Sequence, residues 1–330
     1  MRILVTGTAG FIGFHLALKL LEEGHEVAGL DNFNDYYYTG LKRARDEILK
    51  QDKQYTSCEV DLCDRLGVED IFDDFVPEMV INLAAQAGVR YSLINPYAYQ
   101  KSNLEGFQNL IETSRRAGIR RFIYASSSSV YAGLTEMPYS ESQRTDTPVS
   151  LYAATKRANE LVAHTYSHLF GMHTIGLRFF TVYGPWGRPD MALWIFTENI
   201  LAGKSINVFN HGKMRRDFTY IDDITHGVAS LVNADGLQKY EIFNIGNHRA
   251  EDLMDFISII EEALGKKAEK KLLPMQPGDV EATYADISKL NQAVGFEPST
   301  PISEGIPRFI EWYLDHPEIT REVARMRERE

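Results

Sequence analysis

Residues 2–31 leave this chain little freedom in how it can fold. A short apolar run, Arg2–Thr6, leads straight into Gly7, Gly10 and Gly13. A helix-like stretch from His15 to Glu23 follows, closed by Gly24, and a second apolar run ends at Asp31. Runs of this kind suit strands buried on both faces of a parallel sheet. Between two such strands the glycines acquire separate tasks. Gly7 permits the tight turn, Gly10 lets the backbone approach a pyrophosphate, and Gly13 lets the helix pack closely. The phosphates then sit on the helix N-terminus, at Phe11 and Ile12. An acid about 20 residues further on completes the signature of a dinucleotide site. In that role Asp31 accepts hydrogen bonds from a ribose diol and repels a 2′-phosphate, which favours NAD over NADP. Lys42 and Arg43 are bases near enough to soften the preference. The plainer alternative is that Asp31 only caps the loop opening at Asn32.

Strand–helix units continue down the chain. Tyr55–Val60 leads to Asp61 and Leu62, with Asp61 placed to reach an adenine edge. Met79–Leu83 ends in Ala84 and Ala85, small residues against which a cofactor can lie. Asn103–Ala117 reads as a helix stopped by Gly118, and Phe122–Ala125 is a strand running into Ser126–Ser129. This alternation predicts an α/β fold, a Rossmann-type doubly wound parallel sheet with ligands at the carboxyl ends of its strands. From Thr181 the pattern turns irregular, with Pro185, Gly187 and Pro189. Trp194–Ala202 reads as a helix, Ser205–Phe209 as a strand, and Tyr240–Ile245 as a late strand returning to the main sheet. Ala250–Leu264 is an amphipathic helix, and Arg321–Glu330 is expected as a charged, solvated helix that frays. The organisation expected is a NAD-binding domain over 1–180, to which 220–260 returns. A smaller, discontinuous C-terminal substrate-binding cap comprises 181–219 and 261–330.

The chain has 330 residues and a net charge of -11, from 46 acidic and 35 basic side chains. That balance argues against nucleic acid as a partner, which needs a basic face. Cys58 and Cys63 fit neither a metal-ligand nor a disulfide pattern, so we expect no metal and a reduced, cytoplasmic protein. Ile3–Val5 is too short for a signal sequence, and no apolar run approaches the ~18 residues of a membrane span.

Tyr152 and Lys156 are four apart at the start of a helix-like stretch, so they share one face. An ammonium beside a phenol favours the phenolate and lowers its pKa, which suits proton exchange near neutral pH. On most helices such a pair is only a solvated face. Here it follows the serines at a strand end, where Gly7, Asp31 and Ala84 are also expected.

These residues together resemble the extended short-chain dehydrogenase/reductase family of nucleotide-sugar enzymes. The resemblance runs nearly end to end. It covers Val5–Gly13, Leu83–Ala85, the serines with Val130 and Tyr131, Tyr152 with Lys156, Leu177–Phe180, Arg216–Asp223 and Pro277–Asp279. Ala84–Tyr91, Phe179–Ala192, Val208–Gly212 and Leu273–Val280 are similar to one branch, the UDP-glucuronate 4-epimerases. The resemblance implies Tyr152, Lys156 and Ser127 as catalytic residues. It also implies NAD held by Gly7–Gly13, Asp31, Asn32, Asp61, Leu62, Leu83–Ala85 and Asn103. A UDP-sugar would meet Arg90, Ser127, Ser128, Ser129, Thr181, Arg188, Val208, Arg216 and Asp279, with Arg216 on the diphosphate and Val208 in the strand beside the uracil. Two positions depart from the better-known sugar 4-epimerases: Thr181 stands where asparagine is usual, and Gln276 where arginine often helps hold the nucleotide. A homodimer through a four-helix bundle, built from the Asn103 and Tyr152 helices, is implied as well.

The implied reaction is oxidation at C4 of the sugar and reduction from the other face. Related 4,6-dehydratases carry Asp-Glu before the Val-Tyr pair, and related decarboxylases carry Glu. Ser128 and Ser129 stand there instead, which excludes dehydration and disfavours decarboxylation. Glucuronate oxidised at C4 is a β-keto acid, so its carboxylate must be pinned. Arg188 is our choice for the clamp, helped by Thr181, with Arg90 second. The competing expectations are a UDP-glucuronate decarboxylase, a 4-epimerase of another UDP-sugar, and a silent NAD-binding sensor, against which the intact Tyr152, Lys156 and Ser127 argue.

Overall fold

The computed structural model describes residues 1–275 and 281–327. Seven strands form the main sheet: β1 (Arg2–Thr6), β2 (Glu26–Asp31), β3 (Tyr55–Glu59), β4 (Met79–Asn82), β5 (Arg121–Ser127), β6 (His173–Phe179) and β7 (Tyr240–Ile245). All are parallel, in the spatial order β3-β2-β1-β4-β5-β6-β7. This is the doubly wound sheet expected from the alternation, and its order reverses between β1 and β4, where ligands bind in such folds. Ile3, Leu4 and Val5 are wholly buried because helices cover both faces, and each face carries its own apolar cluster.

The helices nearest the site are α1 (Phe11–Glu22), α2 (Thr39–Leu49), α3 (Arg65–Phe75), α4 (Gly106–Arg116) and α5 (Leu151–Phe170). Ser150 starts α5 by accepting the Ala153 N–H at 3.1 Å, and Gly171, at φ 70°, ends it in the left-handed region. The stretch expected as one helix from Asn103 begins as a π-helical segment, Gln100–Glu105, which passes into α4. Such widened turns often mark functional sites.

A second group of elements packs at the carboxyl side of β6. Helix Leu253–Leu264 lies against helices Ala192–Leu201 and Ile302–Asp315. Short strand Ile206–Val208 pairs with Lys270–Leu272. The expectation of a solvated, fraying segment over 321–330 is overturned for 321–327, while 328–330 lie outside the described residues. Helix Pro317–Arg327 buries Ile319 and Val323, and Arg327 hydrogen-bonds the Pro189 carbonyl and ion-pairs with Glu198. Its charges follow a buried stripe, not a wholly solvated surface. Among the described residues no helix is long and apolar enough to cross a membrane, and no cluster of three or more His, Cys, Asp or Glu could hold a metal.

Candidate active site

The turn after β1 is built by close approach. Gly7 sits at φ +79°, and a Cβ there would lie 2.8 Å from the Ala84 nitrogen at the end of β4. Only glycine provides both the conformation and the space. A Cβ on Gly13 would fall 2.0 Å from the Gly7 carbonyl oxygen, so α1 can begin this close to the turn only without one. Gly10 leaves the α1 N-terminus with no side-chain cap, and Phe11 and Ile12 open the helix. Free N–H groups over a glycine turn fit a diphosphate.

Asp31, at the end of β2, accepts the Phe33 N–H at 2.9 Å and the Ala9 N–H at 3.2 Å. It therefore caps its own loop and braces the glycine turn at once. Burial pushes its carboxyl above the ordinary range, opposed by Lys42, the two N–H bonds and Arg45. Lys42 turns to the Asn34 carbonyl and side chain, at 2.7 Å each. Asp61 feels burial too, but bonds from Cys63 N–H, Asn32 and Lys101 outweigh it and hold the carboxyl below its usual value. Leu62 is buried beneath it, while Leu83 packs on the core and the Ala84 N–H donates to Thr6 at 3.1 Å; Ala85 follows at the same strand end.

Asn103 is turned inward. Its amide donates to Gln86 O and Thr155 Oγ1, both at 3.0 Å, and its Oδ1 accepts the Gln86 N–H at 2.8 Å. These bonds tie the segment after β4 to α5. Gln86 and Thr155 were not singled out from the sequence, because nothing local marks them.

Tyr152 and Lys156 lie one turn apart on α5, facing the end of β5. Ser127 is near enough to hydrogen-bond the Tyr152 phenol, and its Oγ accepts the Ser129 N–H at 3.2 Å, starting a 3₁₀ turn through Ser128. Tyr99 packs edge-on to Tyr152 at 6.0 Å. Lys156 is buried and donates to the Ala125 carbonyl at 2.8 Å. The expected lysine-lowered tyrosine is not what this state holds. Burial raises the Tyr152 pKa, with the Ser127 bond and the charge of Arg188 pulling the other way. Burial also lowers Lys156 to about 8.

That lowering predicts a stability effect. The folded protein binds the Lys156 proton less tightly than the unfolded chain, so the burial cost is complete below about pH 8 and fades as pH rises toward 10.5. We expect Lys156→Met to lose turnover yet gain roughly 1–3 kcal/mol of stability at neutral pH, the gain shrinking at alkaline pH. Urea denaturation of both proteins at neutral and alkaline pH checks it; a pH-independent difference would contradict it.

Arg188 enters from the irregular segment after β6, beside Asp190. Its Nε donates to Asp190 Oδ1 at 3.0 Å and its Nη2 to Oδ2, while Tyr36 Oη donates to the same Oδ2 at 3.1 Å. Burial works against the guanidinium, but Asp190 outweighs it and keeps the charge. Asp190 feels burial as well, and Arg188 holds it below the ordinary range. Asp190 and Tyr36 were missed in the sequence; an acid two residues from the clamp was the available signal. Thr181 starts a short strand, Thr181–Tyr183, paired with Phe218–Tyr220.

The remaining expected residues diverge. Arg90 stacks over Phe209 at 5.4 Å, which brings the end of β4 to the second group of elements. Arg216 sits half-buried in a short strand, donating to the Arg215 and Glu281 carbonyls. Val208 is fully buried in its short strand, and its carbonyl accepts the Leu273 N–H at 2.9 Å. Gln276 and Asp279 lie outside the described residues.

A profile of the family described as NAD dependent epimerase/dehydratase matches residues 3–246, about three quarters of the chain. The chain belongs to this family. It is similar to a UDP-glucuronate 4-epimerase of Arabidopsis thaliana, 46% identical over 96% of this chain and 76% of that one. It is 43% identical to a probable UDP-glucuronate 4-epimerase of Rhizobium meliloti, over 95% and 97% of the two chains. Among solved structures it resembles the UDP-glucuronic acid 4-epimerase of Bacillus cereus in complex with UDP-glucuronic acid and NAD. There the TM-score is 0.88 at 34% identity, covering 94% of this chain and 98% of that one.

Proposed function

We propose that this member of the family is an isomerase, an NAD-dependent UDP-glucuronate 4-epimerase that forms UDP-galacturonate through a transient 4-keto sugar. The observation that carries the reading is Ser127, Tyr152 and Lys156 gathered at the strand ends, with the buried cation of Arg188 acting on the same phenol. The likeness to enzymes of that name supports the choice of sugar.

The α1 N-terminus with Gly7, Gly10 and Gly13 would hold the cofactor diphosphate, Asp31 a ribose, and Asp61 the adenine edge. When bound, NAD⁺ would supply the acceptor and donor of the C4 hydride. Tyr152 Oη takes the proton from the 4-hydroxyl and gives one back after the ketose has turned over. Ser127 Oγ holds that oxygen in line. Lys156 adds positive charge behind the phenol. Ser128 and Ser129 line the sugar without an acid–base pair for expelling water.

The acid group sets the remaining demand. Asp190 occupies the Nε–Nη2 edge of Arg188 and leaves Nη1 to meet a carboxylate. With Thr181, Arg188 would keep the C5–C6 bond out of line with the C4 carbonyl, the alignment in which CO₂ is lost. Arg216 would take the UDP diphosphate, and the residues 181–219 and 261–330 would form the cap around it. We also propose a cytoplasmic homodimer. Leu104 and Leu161, exposed on the paired segments that hold Asn103 and Tyr152, supply an apolar face for it.

The test is NMR of the purified protein with UDP-glucuronate and no added cofactor. UDP-galacturonate as sole product is the expected result. UDP-pentose with CO₂ would instead make it a decarboxylase. No conversion, even after NAD⁺ is added, would point to another sugar or to a sensor.

A further inference from the structure

The segment that carries Arg188 is held almost entirely from outside itself. It contains Trp186 at φ +57°, a conformation that large L side chains rarely adopt, so the surroundings must impose it. Four of its carbonyl groups are taken by side chains from distant elements. His15 of α1 meets the Pro185 oxygen at 2.9 Å, and Arg327 meets that of Pro189. Arg45 of α2 takes the other two: its Nη2 donates to Trp186 O at 2.6 Å and to Gly187 O at 3.3 Å. The other arm of the same guanidinium, Nη1, donates to Ala9 O in the glycine turn at 2.7 Å and to Tyr37 Oη at 2.8 Å.

Arg45 is 0% exposed, and among the described residues no carboxylate is a hydrogen-bond partner and its Nε has no partner at all. A buried cation hydrogen-bonded only by neutral groups is costly even with the Asp31 carboxyl in electrostatic range, and a neutral tether would serve packing alone more cheaply. What a guanidinium adds is a rigid fork that bridges two backbone segments at a fixed separation. Those segments are the turn that receives the cofactor diphosphate and the residues immediately before Arg188. His15 reinforces the arrangement: burial, foremost, lowers its pKa to about 4, so at neutral pH the ring is uncharged and offers one N–H to Pro185.

We infer that Arg45 is a positioning residue for the acid clamp, setting Arg188 in register with the cofactor turn so that the sugar carboxylate is pinned while C4 faces the reacting groups. The inference rests on Arg188 being that clamp. Displacement of a clamp by an ångström is enough to change a reaction's outcome. Here it would let the 4-keto acid rotate its C5–C6 bond into line with the carbonyl. The electrons of that bond then move toward the C4 carbonyl as CO₂ departs, and a proton from solvent replaces the lost carbon at C5. The 4-keto pentose left behind becomes UDP-pentose when the hydride taken from C4 is returned to it, so a loosened clamp leaves a chemical signature that loss of fold alone would not produce.

The test is Arg45→Lys, which keeps the charge but reaches only one of the two segments. With NAD still retained through gel filtration, we expect KM for UDP-glucuronate to rise about 10-fold and the pentose share of product to rise about 10-fold. Binding of neutral UDP-glucose should change less than about 2-fold, because it has no carboxylate to place. Unchanged KM and product ratio would overturn the proposal. Should Arg45→Lys not fold, His15→Gln is read in the same way, since it loosens the same segment at Pro185; wild-type behaviour there overturns the proposal too. Arg188→Ala run alongside separates the two readings. If it weakens acid binding and leaks pentose while Arg45→Lys does neither, only the role of Arg45 falls. If Arg188→Ala leaves acid binding intact, the clamp itself is wrong and the proposal falls with it.

Discussion

Tyr152→Phe is expected to lower formation of UDP-galacturonate by about 10²- to 10⁴-fold, the range set by removing a positioned proton carrier. The ring should stay in place. It packs edge-on against Tyr99 at 6.0 Å, a contact that phenylalanine keeps, and among the described residues the lost hydroxyl has only Ser127 as its side-chain hydrogen-bond partner. NAD retention and thermal stability should therefore match the wild type. The pH profile distinguishes this from a packing defect. Burial raises the Tyr152 pKa, so in the wild type the reactive phenolate becomes more abundant with rising pH and turnover climbs across the neutral range. Residual turnover of the variant should be flat there. Near-normal turnover, or an unchanged pH slope, would reject Tyr152 as the proton carrier.

Arg178→Met should be the most destabilising of the changes considered, by about 3–5 kcal/mol in urea denaturation. Arg178 is buried in β6 and donates from Nε and Nη2 to the two oxygens of Glu160, each at 2.8 Å. Glu160 also accepts from Ser126 at 2.6 Å and from Arg157 at 2.9 Å, and Arg178 Nη1 donates to Tyr131 at 2.7 Å. Burial alone would raise the Glu160 carboxyl, but the Arg178 bonds and charge overcome it and hold it below its usual range. Its contribution is present above the ordinary carboxyl pKa of 4.5 and is lost as pH falls through the lowered value. Without Arg178 the sign reverses: the lone carboxylate takes up a proton on folding, so the deficit should narrow in acid. Arg178→Met with Glu160→Met should recover part of the loss, since no charge is left buried unpaired. A loss below about 1 kcal/mol would mean that Arg157 suffices as the partner of Glu160. Because Ser126 adjoins Ser127 and Glu160 lies one turn beyond Lys156, this pair also braces the site from beneath.

Much of this protein was legible from residue order. Strands β1, β2, β4, β5 and β7 carry short apolar runs between turn residues, and such runs specify buried parallel strands with little outside help. Strand β3 is half exposed and was placed by the alternation, and β6 was not singled out as a strand. Gly7, Gly10 and Gly13 stand where the turn needs them, and Asp31 ends the strand beside it. Tyr152 and Lys156 share a helix face through spacing alone. Less legible were the contacts between distant segments. The amide of Asn103 bonds Gln86 and Thr155, partners that no local pattern marks. Within Arg321–Glu330, expected to be solvated, the described residues bury Val323 against the rest of the protein.

Local order thus carried the fold class and the shared helix face of Tyr152 and Lys156, because helix and strand periods act between near neighbours. It could not carry the ionisation of Tyr152 and Lys156, whose pKa values move by desolvation, a property of everything packed around them. Nor could it place Arg45, His15 and Arg327 on the segment bearing Arg188. Those bonds join residues 138 to 170 positions apart, and only chain folding brings them within reach.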